Sequence, residues 1–280
     1  MRLFLLTALA MCAFAANSVL TRMAVGPGLI DPMGFAVVRL AAGAAMLAAV
    51  LAWRGLRGGA VLPGWRGRAA GVAGLLVYLT GFSAAYAALD TGVGALILFG
   101  VVQITLFAGA LLSRDAVPGR RWAGAGLALA GLAVLLWPGR GAALSLPHAA
   151  AMVAAGIGWG CYSLAGRGQR DAVAATAWNF AFALAVVGGA ALAGWVAMPM
   201  ASPRGLALAA LSGAVTSGLG YALWYGVVPA LGAGRAAVAQ LTVPVIAAAA
   251  GLALLGEPVG LRFVVAGLCV LGGVALASRG

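Results

Sequence analysis

Ten stretches of about twenty mainly apolar residues follow one another along the chain. Short segments rich in arginine, glycine, proline and aspartate separate them. They cover approximately residues 3–24, 33–53, 69–89, 92–113, 121–137, 147–166, 173–197, 205–228, 232–255 and 260–277. A helix needs ~20 residues to cross a ~30 Å hydrocarbon core, and it satisfies its own backbone polar groups in lipid. The pattern predicts an all-α membrane protein of ten transmembrane helices, with connections too short for a soluble domain. Residues 1–16 resemble a signal peptide, with Ala13-Phe14-Ala15 as a cleavage site. The apolar character continues to Val25, so an uncleaved first helix is the expectation.

Two of these stretches recur. Residues 88–134 and 230–276, laid over one another at an offset of 142, match at fourteen of 47 positions. The matches include Leu89/Leu231, Gly92/Gly234, Val101/Val243, Gly109/Gly251, Val117/Val259, Arg120/Arg262 and Gly131/Gly273, and Asp115 falls opposite Glu257. Composition alone gives roughly five or six, so a duplicated unit is the better reading. The chain divides into a first five-helix repeat, residues 1–139, and a second, residues 146–280.

Composition and charge refine this picture. Hydrophobic residues make up 64% of 280 and charged residues 8%, too little polar surface for a soluble domain. The net charge of +12 suggests nucleic acid, but the arginines stand singly or in pairs between apolar runs and form no basic face. Cys12, Cys161 and Cys269 each lie inside an apolar run without metal-ligand spacing and read as small packing residues. With the N-terminus inside, twelve arginines, including Arg54, Arg57, Arg66, Arg114 and Arg279, fall on the inner side. Four, Arg22, Arg140, Arg204 and Arg262, fall on the outer. This bias puts both termini in the cytoplasm of a bacterial inner membrane. Five spans per half is odd, so the two repeats must be inverted, an arrangement that points to a transporter with substrate near mid-membrane.

At this point the residues resemble a family. Ten spans in two inverted halves are similar to the drug/metabolite transporter superfamily, in its EamA branch. Pro244 in mid-helix, Leu255-Gly256-Glu257-Pro258 closing span nine, Arg262 and Gly272-Gly273 carry the resemblance in the second half. Phe14-Ala15-Ala16-Asn17 resembles the family's first-span motif, and Trp159-Gly160-Cys161-Tyr162 its counterpart in span six. The first half departs, with Val102 at the proline position and Arg114-Asp115 in place of Gly-Glu.

Polar groups inside the spans cost free energy and need a reason. Arg39 lies about seven residues into span two, roughly 10 Å from its end. It either snorkels to the interface or faces a cavity and holds an anionic group such as a carboxylate. Asn179 takes the corresponding position in span seven when Asp31 and Asp171 are aligned. Asn17, Gln103 and Gln240 either bond between helices, at ~1 kcal/mol each, or orient polar atoms of a substrate. Pro244 deprives the Gln240 carbonyl of its helical donor and predicts a local break or hinge there. Tyr78, Phe82 and Tyr86 form a stripe on span three; Ser217, Tyr221, Trp224 and Tyr225 form one on span eight. Trp159 and Tyr162 add a patch on span six, and Phe99 shares a face with Gln103 on span four. Such stripes serve as core packing, interfacial belt or ligand wall. Trp53, Trp137 and Trp195 at span ends read as belt, and Tyr78, Tyr221 and Trp159 as cavity.

Asp31, Asp90, Asp115, Asp171 and Glu257 all fall at turns, so no carboxylate proton relay is visible in a span. His148 opens span six, an interfacial position. Gly124-Ala125-Gly126 and Gly272-Gly273 read as close-packing surfaces for neighbouring helices, not phosphate loops. The expectation is a monomeric secondary transporter in the lipid bilayer, with a small-molecule substrate and no cofactor, metal, catalytic residue or nucleic-acid partner. Within the resembled family, export of amino acids, aromatic ones especially, fits best. Arg39 and Asn17 would bind polar ends, and Gln103, Asn179 and Gln240 would orient. Tyr78, Phe82, Tyr86, Phe99, Trp159, Tyr162, Ser217, Tyr221 and Trp224 would line the site. Export of other metabolites or aromatic drug cations is the alternative, followed by a passive pore or a membrane enzyme.

Overall fold

Small residues decide which helices touch in this all-helical chain. In a computed structural model, residues 1–56, 65, 67–113, 118–137, 144–167, 169–194 and 201–278 are described. Arg57, Arg66, Arg114, Asp115, Val117, Arg140, Trp195 and Arg279, all used in the sequence argument, lie outside them. The helices are α1 (Arg2–Val25), α2 (Pro32–Leu56), α3 (Arg68–Ala85), α4 (Thr91–Leu112), α5 (Gly119–Leu136), α6 (Leu146–Ala165) and α7 (Ala172–Leu192). They continue with α8 (Pro203–Gly232), α9 (Arg235–Leu255) and α10 (Leu261–Ser278).

Eight of the ten are long and apolar enough to cross a membrane; α5 and α6 are not among them. The ten expected helices are all present, and these two differ from the rest in composition or length of their described residues. Described α5 opens on Arg120 and Arg121, and α6 carries Pro147, His148 and a run of small residues. α6 packs on α3 and α4, and α5 on α10. Span eight is also longer than expected, because α8 runs through Pro229 to Gly232, whose φ of 73° breaks it from α9.

Each of the main helix pairings has a counterpart five helices further on. α3 packs on α6 as α8 packs on α1; α4 packs on α6 as α9 packs on α1; α2 packs on α8 as α7 packs on α3. α5 with α10, α2 with α7 and α4 with α9 are their own counterparts. The bundle has two ends. The distal end gathers the close of α1, the start of α4 and the close of α9, where Arg22 meets Asp90 and Glu257. The proximal end gathers the close of α2 and the starts of α3 and α7: Arg54 grips Asp171 with two hydrogen bonds, at 3.1 and 2.7 Å, and Arg68 bonds Asn179.

Glycine permits the closest approaches. A Cβ on Gly124 would strike the Gly273 carbonyl, and one on Gly273 the Gly124 carbonyl, so these two seat α5 on α10. The neighbouring Gly126 and Gly272 meet almost nothing, which corrects the view of both glycine runs as wholly packing surfaces. Cys12 and Cys161 are exposed on the bundle surface rather than packed, a further correction. His148 is held locally, its Nδ1 2.6 Å from Ser145 Oγ at the start of α6.

Candidate functional site

Arg39 has no exposed surface, so it does not snorkel. Burying a guanidinium in a bundle is costly unless its donors are satisfied and its charge compensated. Its Nε donates to Ser217 Oγ at 3.0 Å, and its Nη2 to the phenol oxygens of Tyr78 at 2.8 Å and Tyr221 at 3.4 Å. The guanidinium carbon lies 4.9 Å from the Phe82 ring centre and 5.1 Å from that of Tyr78, within cation–π range. Nη1 has no hydrogen-bond partner, and no ion pair among the described residues includes Arg39. Among the described residues the charge is therefore met by one serine hydroxyl, two phenols and ring faces, with no carboxylate.

The backbone of α8 explains how Ser217 reaches it. Residues Ser212–Leu219 form a π-helical segment. With i→i+5 bonding, residues five apart share a face, whereas in an α-helix they would diverge. Ser212 and Ser217 thus both point into the bundle. Ser212 Oγ donates to Asn17 Oδ1 at 2.6 Å while Ser217 takes Arg39, and Tyr221 follows one turn later. Gly213 lies against the Arg39 carbonyl, so α2 and α8 meet backbone to backbone beside the guanidinium. Asn17 Nδ2 reaches the Tyr78 phenol at 3.4 Å, which joins α1 to the same network.

Around this network the aromatic residues form one continuous wall. Tyr78 packs on Phe82 at 5.3 Å and on Trp159 at 4.9 Å; Trp159 stacks on Tyr162 at 5.1 Å and meets Tyr221 at 5.1 Å. Phe14 stands edge-on to Tyr221 and Trp224 at 5.8 Å. Two cavities flank the wall. A void of about 20 Å³ is enclosed by Phe14, Asn17, Ser18, Tyr78, Phe82, Leu98, Phe99, Trp159 and Tyr221. On the proximal side a cavity of about 330 Å³ is lined by Gln103, Trp159, Tyr162, Thr176, Asn179, Trp224, Tyr225 and Gln240, among others. Trp159 borders both and stands between them.

The predicted residues thus divide. Asn17, Tyr78, Phe82, Phe99 and Tyr221 line the small void, and Gln103, Tyr162, Asn179, Trp224 and Gln240 the large cavity. Arg39 stands behind the wall, bonded to its phenols, and Ser217 beside it accepts from the guanidinium. Tyr86 borders neither cavity; its hydroxyl donates to the Thr91 carbonyl at 3.2 Å and its ring packs on Phe82. Asn179 Oδ1 accepts from Arg68 at 2.8 Å, so part of its polarity fastens α3 to α7. Gln240 closes its helix segment ahead of a turn at Leu241, where Pro244 withholds a donor. Pro229 does the same to the carbonyl of Tyr225, so both prolines free a carbonyl on a residue of the large cavity.

Sequence reasoning missed Ser18, Thr176 and Ser212, single hydroxyls among many small residues. Thr176 Oγ1 lies 2.8 Å from the Tyr162 hydroxyl. The distal closure was also missed. Arg22 Nε donates to Glu257 Oε1 at 3.0 Å, and its Nη1 to the carbonyls of Tyr86 and Ala87, both at 3.2 Å. Glu257 Oε2 accepts the Thr91 N–H at 2.7 Å and so caps α4 from another helix pair. Gly256 makes this geometry, ending α9 in the left-handed region at φ 67° and letting the Glu257 N–H return to the Gly251 carbonyl at 3.2 Å. Asp90 stands beside them, with Arg22 at 3.8 Å. Burial, and then the Glu257 carboxylate, push its carboxyl above the ordinary value, against the pull of Arg22. Among the described residues no three His, Cys, Asp or Glu side chains gather as a metal-ligand set.

A ten-helix bundle closed at one end by an ion pair, with a cavity open toward the other and a polar, aromatic centre, has the form of a small-solute membrane transporter. Comparison with known proteins agrees. Residues 147–279 match the model of the EamA-like transporter family. A protein of Pseudomonas aeruginosa described as uncharacterized is 48% identical over 275 residues, covering 98% of this chain and 94% of the relative. A solved structure titled "Crystal structure of protein" superimposes with a TM-score of 0.68 at 20% identity, over 98% of both chains, a likeness of fold. The chain belongs to the EamA-like transporter family, within the drug/metabolite transporter superfamily. It is a multi-pass membrane protein, and its family points to a transporter rather than an enzyme.

Proposed function

We propose that this protein exports small amphipathic metabolites that carry a carboxylate, amino acids with a preference for aromatic ones, by alternating access. One observation carries the reading. Arg39 is wholly buried among aromatic rings, has no acidic partner among the described residues, and keeps one Nη1 without a hydrogen bond. A substrate carboxylate supplies the missing charge and acceptor, and the rings of Tyr78, Phe82, Trp159 and Tyr221 supply a bed for an apolar or aromatic side chain. An aromatic drug cation would meet an uncompensated guanidinium, so that alternative is disfavoured.

The two halves, residues 1–139 and 146–280, act as inverted repeats, a reading supported by the paired helix contacts. The proximal end is cytoplasmic, with both termini on that side of the inner membrane, in keeping with the arginine bias. The state described is then inward-facing: the large cavity opens to the cytoplasm while Arg22 and Glu257 close the outside. With no acid within a described span, substrate moves downhill or by exchange, and one chain suffices as a monomer.

Proteoliposomes loaded with labelled tryptophan, phenylalanine, threonine or a quaternary drug, with and without a pH gradient, test this. Saturable flux of the aromatic amino acids, unaffected by the gradient, is expected. Saturable movement of the drug alone overturns it. Tyr78→Ala and Trp224→Ala should impair flux far more than Ala→Ser changes on lipid-facing positions; equal effects would reduce the aromatic wall to packing.

A further inference from the structure

We propose that a third cavity, between α4, α5 and α10 at the proximal end, binds an anionic phospholipid with its phosphate on Arg121 and Arg167. This cavity, of about 220 Å³, adjoins the larger transport cavity and shares Gln103, Leu106, Arg167 and Ala237 with it. Arg121 stands in the first turn of α5 and Arg167 just beyond the end of α6. Neither takes part in an ion pair among the described residues. The deeper lining is apolar apart from Gln103, with Phe107, Ala128 and Val274 on three different helices. Arg121 and Ala128 lie seven residues apart on one helix, so the pocket follows α5 for roughly 10 Å.

Cations at the mouth and an apolar shaft of that depth fit a headgroup and the first carbons of an acyl chain. Guanidinium forks match phosphate oxygens, and basic pockets between helices at a membrane face take anionic headgroups. A zwitterionic lipid brings the same phosphate together with its own ammonium, which competes with the arginines. A free phosphate lacks the chain that would displace water from the shaft. The site commits to a lipid for these reasons, and it stands whether or not the transport reading above is right.

The full-length protein in neutral detergent is titrated with phosphatidylglycerol, phosphatidylcholine and inorganic phosphate while its thermal stability is followed. Phosphatidylglycerol should raise the melting temperature saturably, and phosphatidylcholine should do so weakly. Arg121→Gln with Arg167→Gln should weaken the phosphatidylglycerol effect by about tenfold or more, while Arg170→Gln, outside the pocket, leaves it unchanged. Equal stabilisation by both lipids, or no change in the double variant, overturns the proposal. Inorganic phosphate acting as strongly as the lipid would show a soluble-anion site and overturn it too. Should the double variant melt before titration, native mass spectrometry of the unaltered protein decides. Selective retention of phosphatidylglycerol supports the site, and equal retention of phosphatidylcholine removes it.

Discussion

Arg22 and Glu257, 235 residues apart in sequence, meet at 3.0 Å and join the end of α1 to the turn after α9. The pair is only partly exposed, and Glu257 also holds the first N–H of α4, so three elements are fastened at one point. Hydrogen bonds to charged groups contribute ~1.5–3 kcal/mol each, enough to shift a two-state carrier noticeably toward the distally closed form.

Loss of that fastening should open the distal end. In a background with Cys12, Cys161 and Cys269 replaced by serine, Ser18→Cys reports on the small void from the distal side. Arg22→Gln should raise its labelling rate by an impermeant thiol reagent roughly tenfold or more, for a loss of ~1.4 kcal/mol or more of closing energy. Unchanged labelling would mean that the pair is structural only.

Arg39 should not tolerate loss of its charge. Arg39→Gln should abolish flux of carboxylate substrates, and Arg39→Lys should retain little, because a point charge cannot bond Ser217 and two phenols as a planar fork does. Tyr78→Phe removes the 2.8 Å partner of Nη2 and should cost ~1–3 kcal/mol of stability. Thermal melts of the folded variants, run beside the flux assays, separate the two effects.

The carboxyls at the helix ends should respond to pH in opposite senses. Burial alone would raise Asp171, but the Arg54 guanidinium and then the Ala174 N–H outweigh it and hold the carboxyl below its ordinary value. Its stabilising contribution is complete above the unfolded value, ~3.9 for aspartate, and is lost as pH falls through the folded value. Asp90 is raised, so its ionised form opposes folding above its folded value, and that penalty fades as pH falls toward ~3.9. At neutral pH, Asp171→Asn should lower the melting temperature and Asp90→Asn should leave it unchanged or raise it. Melts between about pH 3 and 7 check both signs.

The seat of α5 on α10 should be intolerant of volume. Gly124→Ala places a methyl against the Gly273 carbonyl, which cannot rotate away, and should destabilise by ~1–3 kcal/mol. Gly126→Ala, with open space around it, should cost nothing measurable. Thermal melts of the pair provide an internal control.

The sequence by itself determined the all-helical membrane architecture, the number of helices and most of their limits. Apolar length and short arginine-bearing connections leave a chain few other choices in lipid. It also singled out Arg39, Asn17 and the rings of α3 and α8, because polar and aromatic side chains stand out on apolar helices. Only the tertiary structure decided where they face. An arginine about seven residues into a span can reach either the interface or the interior; the phenols of Tyr78 and Tyr221, on different helices, hold Arg39 inside. The π segment of α8, which turns Ser212 and Ser217 to one side, leaves no periodic trace among Gly, Ala, Ser and Thr. The pairing of Arg22 with Glu257, and the division of the site residues between two cavities, depend on helices distant in sequence packing side by side. Periodicity reports which face of a helix is apolar, and it carries no information about which neighbour that face will meet.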